Sequence, residues 1–155
     1  MALDDGRVFC DFVADIVERR DIVIKSEGTA VRAYCYLSDA VAGFFTVLLK
    51  GTNGQAYNIG NPQAAVSVYE LAQTLTALFP ERSRRIRRSK QAQNCEHPTS
   101  GLSRVVPDIR KVEELRWSPR YHLEGGFHRT IASFLLDRGE MKPADVQDFL
   151  SLQPV

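Results

Sequence analysis

The densest group of chemically useful side chains lies between Arg82 and Lys90, where six of nine residues are basic. Such a run can bind nucleic acid, favour a diphosphate, or keep an exposed strand edge soluble. No aromatic residue is interleaved for base stacking, and the formal net charge of the whole chain is only +1. A solvated edge strand guarded by charge is therefore the favoured reading, with nucleic acid the least favoured. His97, His122 and His128 lack ligand-like spacing, and His128 is expected at a surface or an interface. Cys10, Cys35 and Cys95 form an odd set without a C-x-x-C pair, which argues against a disulfide framework or a zinc ribbon and for free thiols in a reducing compartment. Gly51-Thr52-Asn53-Gly54 stands between a helix and a strand, the reverse of the order that a phosphate-cradling turn requires.

The elements that position these residues are legible from periodicity. Val8, Phe9, Phe12, Val13, Ile16 and Val17 fall on one helical face, with Asp4 or Asp5 available as N-cap. Asp21 to Lys25 is a short β-branched strand ended by Ser26-Glu27-Gly28, and Arg32 to Leu37 is a second extended segment. Ser38 or Asp39 can cap the next helix, which runs through Leu49 and stops at Lys50-Gly51. Ala56 to Ile59 reads as a third strand closed by Gly60-Asn61-Pro62. Ser67-Val68-Tyr69-Glu70 is a capping box opening a helix through Leu78. Residues 94–101 read as loop, 108–115 as a short helix, 123–136 as an amphipathic helix, and Pro143 to Leu150 as a last helix.

Alternating strands and helices predict an α/β or α+β domain, with helices packed on a few short strands. Three scattered strands are too few for a self-sufficient doubly wound sheet, so some are expected to pair with a sheet from a missing segment. At 155 residues, 44% hydrophobic and 25% charged, the chain has the size and composition of one soluble globular domain. The longest apolar run, Ala40 to Leu49 with Thr46 inside it, falls far below the roughly 18 residues of a membrane span. The N-terminus is acidic and polar, unlike a secretory signal. These features predict a cytoplasmic protein with no membrane partner.

Three segments in order carry a resemblance: Asp5-Gly6-Arg7-Val8-Phe9-Cys10-Asp11-Phe12, then Ser26 through Asp39, then Ala56-Tyr57-Asn58-Ile59-Gly60-Asn61. Ser103-Arg104-Val105-Val106-Pro107-Asp108, Leu115-Arg116-Trp117-Ser118-Pro119 and Leu123-Glu124-Gly125-Gly126-Phe127 follow. Together they resemble the C-terminal, substrate-binding half of extended short-chain dehydrogenase/reductases, the NAD-dependent epimerases and dehydratases, including UDP-glucuronate decarboxylases and dTDP-glucose dehydratases. That resemblance implies a single substrate-binding domain over residues 1–155, without the N-terminal Rossmann half that binds NAD. No G-x-x-G-x-x-G follows a strand, and no tyrosine is followed four residues later by lysine. The chain alone is thus expected to bind no cofactor and to turn over no substrate.

The same resemblance supplies candidate residues. Arg32 and Arg104 stand at positions that face the substrate diphosphate in the family, and a guanidinium grips phosphate oxygens through paired hydrogen bonds. The strand containing Ile22, Ile24 and Lys25 matches the piece whose backbone contacts the nucleotide base, although relatives commonly carry an aromatic residue in place of Lys25. Asn58 lies in the strand that returns toward the sugar, where it is equally suited to satisfying a turn. Trp117 is expected to pack the domain. The resemblance implies an NDP-sugar ligand, UDP- or dTDP-linked, and the missing Rossmann half as partner. An alternative is a non-catalytic nucleotide-sugar-binding module or pseudo-enzyme fragment acting with a partner chain. A domain cut from its sheet should also self-associate through exposed apolar surface.

Overall fold

The computed structural model describes residues 3, 5–82, 85–89 and 103–143. Helix α1 (Val8–Val17) buries Phe12, Val13, Ile16 and Val17, the face that the spacing predicts. Its N-cap is Arg7, without a side-chain cap. Asp5 is drawn instead into an ion pair with the Arg7 guanidinium, a charge-assisted contact that competes with capping, and Asp4 lies outside the described residues. Strand β1 (Ile22–Ile24) follows, then β2 (Val31–Ala33), shorter than the sequence predicts. Helix α2 (Leu37–Lys50) begins from Tyr36 with no side-chain cap. Ser38 and Asp39 therefore do not cap it, and Asp39 faces inward from the first turn.

The segment 56–59 is not a strand. It is extended, but its polar groups are held otherwise: Tyr57 Oη accepts from the Thr52 amide at 3.0 Å and Asn58 Nδ2 donates to the Asp108 carbonyl at 3.0 Å. A strand that the sequence did not suggest, β3 (Ala65–Ser67), forms after a 3-10 turn at Pro62–Ala64. Helix α3 (Val68–Leu78) carries the expected capping box. Ser67 Oγ accepts from the Glu70 amide at 3.1 Å, and Glu70 Oε2 accepts from the Ser67 amide at 2.7 Å. Then come β4 (Ile86–Arg88), β5 (Arg104–Val105), α4 (Arg110–Glu113) and α5 (Leu123–Asp137).

Two small sheets result. Strands β1 and β4 pair in parallel, with Ile22 opposite Ile86 and Ile24 opposite Arg88. The other sheet has the order β3-β2-β5, antiparallel then parallel. Helices α1, α3 and α5 pack on one another over β1, and Phe12, Ile16, Ile22, Ile24, Leu71, Leu75, Ile131 and Leu135 are fully buried in that core. Ile109, Val112 and Trp117 form a smaller cluster with Val47, Tyr57 and Ile59. Gly43 is what lets α2 approach it, since a Cβ there would sit 2.8 Å from Ile59 Cγ2 and 3.0 Å from Trp117. No helix of the described residues is long and apolar enough to cross a membrane.

Two expectations about charge are corrected. Arg82, read as part of a solvated run, is buried: its guanidinium donates to the Val17 carbonyl at 3.2 Å and to Glu140 at 2.8 Å. Arg85, Arg87 and Arg88 are exposed on or beside β4 as an edge strand's charges should be, while Ser83, Arg84 and Lys90 lie outside the described residues, as do Cys95, His97, the 94–101 loop and most of the 143–150 helix. His128, expected at a surface or an interface, is buried within the chain and stacked on Phe79 at 5.2 Å between ring centroids.

Burial, reinforced by the Arg129 charge, holds the His128 imidazole below the usual histidine range, because the cation is disfavoured away from water. Its contribution to stability is therefore fully present above the unfolded-state pKa of about 6.5 and drains away as pH falls below it. The urea midpoint should be lower at pH 5 than at pH 7.5, and His128→Leu should flatten that difference. An unchanged pH dependence in His128→Leu would show that the imidazole does not titrate with folding.

Candidate functional site

The β2–β5 pair places the two candidate phosphate-binding arginines on adjacent strands. Arg32 lies opposite Val105, and Arg104 lies opposite Val31. Because side chains alternate across a pleat, this one-residue offset sends Arg32 and Arg104 from opposite faces of the sheet. Arg32 is half-buried, with Nη1 donating to its neighbour's carbonyl, Val31 O, at 2.7 Å. Arg104 is exposed on the edge strand.

The other candidates are more constrained. Ile22 and Ile24 point into the core. The Ile22 amide donates to Arg85 O at 3.1 Å, and the Ile24 carbonyl accepts from the Ser89 amide at 2.9 Å, so these main-chain groups are committed to β4. Lys25 is exposed and pairs with Asp11 at 2.7 Å. Asn58 lines a hollow of about 370 Å³ shared with Asp108, Arg110, Lys111 and Glu114. There the Arg110 guanidinium hydrogen-bonds Asp108 and holds its carboxyl down at about 2. The structure thus joins Arg32 to Arg104 through the sheet and leaves Asn58 in a separate, self-paired charged hollow.

A larger cavity, about 670 Å³, opens between the end of β2, the first turn of α1 and the start of α5. Its aromatic wall consists of Tyr36 and Tyr121, with ring centroids 4.7 Å apart. The Arg129 guanidinium lies 4.8 Å from the Tyr121 ring centroid. Gly126 eases this approach, because a Cβ there would meet Tyr36 Cδ2 at a tight 3.3 Å.

What fixes the wall is Asp39. It is 5% exposed, and its Oδ2 accepts from the amides of Arg120 at 3.0 Å and Tyr121 at 2.9 Å. Its main-chain carbonyl accepts from Trp117 Nε1 at 3.1 Å. From the other side, buried Asn61 donates through Nδ2 to the Tyr121 carbonyl at 3.0 Å while its Oδ1 accepts from the Gln63 amide. The Tyr121 main chain is therefore held at both ends. Sequence reasoning had no signal for this: Asp39 and Tyr121 are 82 residues apart, and Asp39 at a helix start reads as a cap. Trp117, expected to pack the domain, does so.

Removing the Asp39 carboxylate leaves two part-buried amide donors without their acceptor. Asp39→Ala should cost about 3 kcal/mol and shift the Trp117 fluorescence. Asp39→Asn, whose amide oxygen can still accept, should lose much less. Equal losses for the two variants in urea unfolding would count against the clamp.

Comparison with known proteins gives the geometry a context. Residues 2–60 match the NAD dependent epimerase/dehydratase family. UDP-glucuronic acid decarboxylase 5 of Arabidopsis thaliana is 32% identical over 143 residues, which is 92% of this chain but 39% of that protein. The dTDP-D-glucose 4,6-dehydratase of Mus musculus is 28% identical over 125 residues, 81% of this chain and 35% of its own. Among solved structures, the UDP-glucose 4-epimerase of Thermotoga maritima with UDP-glucose superposes with a TM-score of 0.71 at 22% identity, covering 85% of this chain and 40% of that one. The chain thus spans less than half the length of the relatives it matches.

Proposed function

Because the chain belongs to the NAD-dependent epimerase/dehydratase family, we propose that it is the C-terminal, nucleotide-sugar-binding portion of an NAD-dependent enzyme acting on NDP-sugars. The observation that supports this reading is the pairing of β2 with β5, which brings Arg32 and Arg104 onto adjacent strands at a one-residue offset. Each guanidinium can take a phosphate oxygen through forked hydrogen bonds. Arg32, half-buried and on the central strand, is the principal contact. Arg104 reaches the ligand from the strand edge and the opposite pleat face, so its contribution is smaller.

NAD belongs, on this reading, to the complementing half. Among the described residues, Gly51 and Gly54 lie after α2 and before an unpaired extended segment, the reverse of the strand-turn-helix order of a pyrophosphate cradle. We therefore assign hydride transfer to the complementing half and route no step through this chain. Its part is to bind and orient the nucleotide sugar.

That a complementing half is needed is supported by α2. Leu37, Val41, Phe44 and Leu48 follow one helical face, and Phe44 and Leu48 are 62% and 77% exposed. Covering four such side chains would contribute about 8 kcal/mol. The relatives supply the occupant, since more than half of their length has no counterpart in this chain.

Two measurements test these readings. At a hundred times its dissociation constant a bound nucleotide should stabilise the fold by about 2.7 kcal/mol, so the melting temperature should rise with one of UDP, dTDP, CDP or GDP and not with NAD. Arg32→Ala should abolish the rise, and Arg104→Ala should reduce it. A rise with NAD, or one indifferent to Arg32, would overturn the assignment. Separately, sedimentation should find the isolated chain self-associating, and Phe44→Ser with Leu48→Ser should return it to monomer. A wild-type chain that stays monomeric at high concentration would remove the case for α2 as a docking face.

A further inference from the structure

We infer that the cavity beside α5 is a docking groove for this chain's own C-terminal segment, residues 144–155. Phe149 and Leu150 seat among its rings, and Asp148 pairs with Arg129. The lining includes neither Arg32 nor Arg104, so docking there is independent of the diphosphate assignment. One end of the cavity is aromatic. The Phe9 and Tyr34 rings meet edge-on at 6.0 Å between centroids, and Tyr34 and Phe127 do so at 5.6 Å. Phe134 adds a half-buried ring from α5. At the other end the half-buried Arg129 guanidinium lies 4.8 Å from the Tyr121 ring centroid, which limits the orientations of its fork. A groove of rings with a cation at its rim fits an apolar segment that carries a carboxylate beside its anchor.

The sequence beyond Pro143 has that composition. Val146, Phe149 and Leu150 recur at i, i+3 and i+4, and Asp145 and Asp148 flank that stripe at helical spacing. Residues 144–155 include no Lys or Arg, so nothing in them repels Arg129. The end of α5 turns the chain back toward the groove. Gly139, at φ +68°, closes a helix-ending motif in which the Glu140 amide donates to the Leu135 carbonyl at 2.8 Å. Glu140 thus stands level with Leu135, and its ion pair with Arg82 holds it there. Met141 packs on the same core as Phe134. From Leu135 back to Arg129 is about 9 Å along the helix. The stretch from Pro143 to Phe149 spans about 9 Å as a helix and about 20 Å extended, so the reach suffices in either form. A tethered segment also meets its groove at a high effective concentration that a free partner has to match.

Cys35 lines the same cavity and reports its occupancy, while fully buried Cys10 reports the integrity of the core. Iodoacetamide labelling, followed at each cysteine by peptide mass spectrometry, should find Cys35 protected in the whole chain. Ending the chain at Pro143 should speed Cys35 alkylation at least about ten-fold, the factor that about 1.4 kcal/mol of docking sets. Phe149→Ser with Leu150→Ser, which keeps the length, should do the same. Arg129→Glu should also speed it, and adding Asp148→Arg should restore protection. Cys10 should stay unreactive throughout, which certifies the fold. Equal Cys35 rates in the whole chain, the shortened chain and the paired serine variant overturn the proposal and leave the cavity to the complementing half. A charge-reversed pair no better protected than Arg129→Glu alone overturns it too. Protection that fades on dilution overturns it in favour of a segment from a second copy.

Discussion

One buried carboxylate ties the periphery of this domain together. Asp39 accepts two amides from the Arg120–Tyr121 segment with one oxygen, and its own carbonyl receives the Trp117 indole. A carboxylate so deeply withdrawn from water is tolerable only when hydrogen bonds replace its hydration. Those bonds dictate where the chain between α4 and α5 must run. They set Trp117 against Gly43 and Ile59, and they set Tyr121 against Tyr36. The small apolar cluster and the cavity wall are thus consequences of the same constraint.

The arginines divide by what surrounds them. Arg82 is buried between the end of α1 and Glu140 and acts as a clasp. Arg87 and Arg110 pair with Asp21 and Asp108 at the surface, where ion pairs contribute little to stability. Arg32 is half-buried on the central strand of its sheet, and Arg104 is exposed on the edge strand beside it. The basic run that dominates the sequence is, where described, an edge strand and a structural clasp.

The two regions of the domain solve different packing problems. Helices α1, α3 and α5 close over β1 with their apolar faces fully covered, so that region is complete within the chain. Helix α2 turns only Gly43 and Asp39 fully inward and shows water a face of Leu and Phe. An apolar stripe of that size on a lone domain is a liability unless something covers it. The short strands tell the same story: two small sheets of two and three strands are less than such a sheet-forming chain usually assembles.

How much of this was legible beforehand depends on the range over which each feature is decided. Local patterns settled local structure. The apolar spacing of α1, the β-branched run of β1, the Ser67–Glu70 capping box and the apolar face of α5 all act within a few residues, and all appear as read. Sequence motifs likewise carried the family. Features that rest on long-range partners were misread or missed. Segment 56–59 has strand composition but finds no ladder among the described residues, while Ala65–Ser67 becomes a strand because β2 lies beside it. Asp39 reads as a cap until the Tyr121 amide, brought from 82 residues away, takes its carboxylate. His128 and Arg82 read as surface groups because their types favour water, and only the packing of α5 and α3 against Phe79 and Val17 puts them inside. Residue types and spacing determined most of the elements and the kinship of this protein, but which segments found a strand partner and which polar groups went inside were decided by tertiary contacts, because burial and pairing belong to neighbours that the linear sequence does not name.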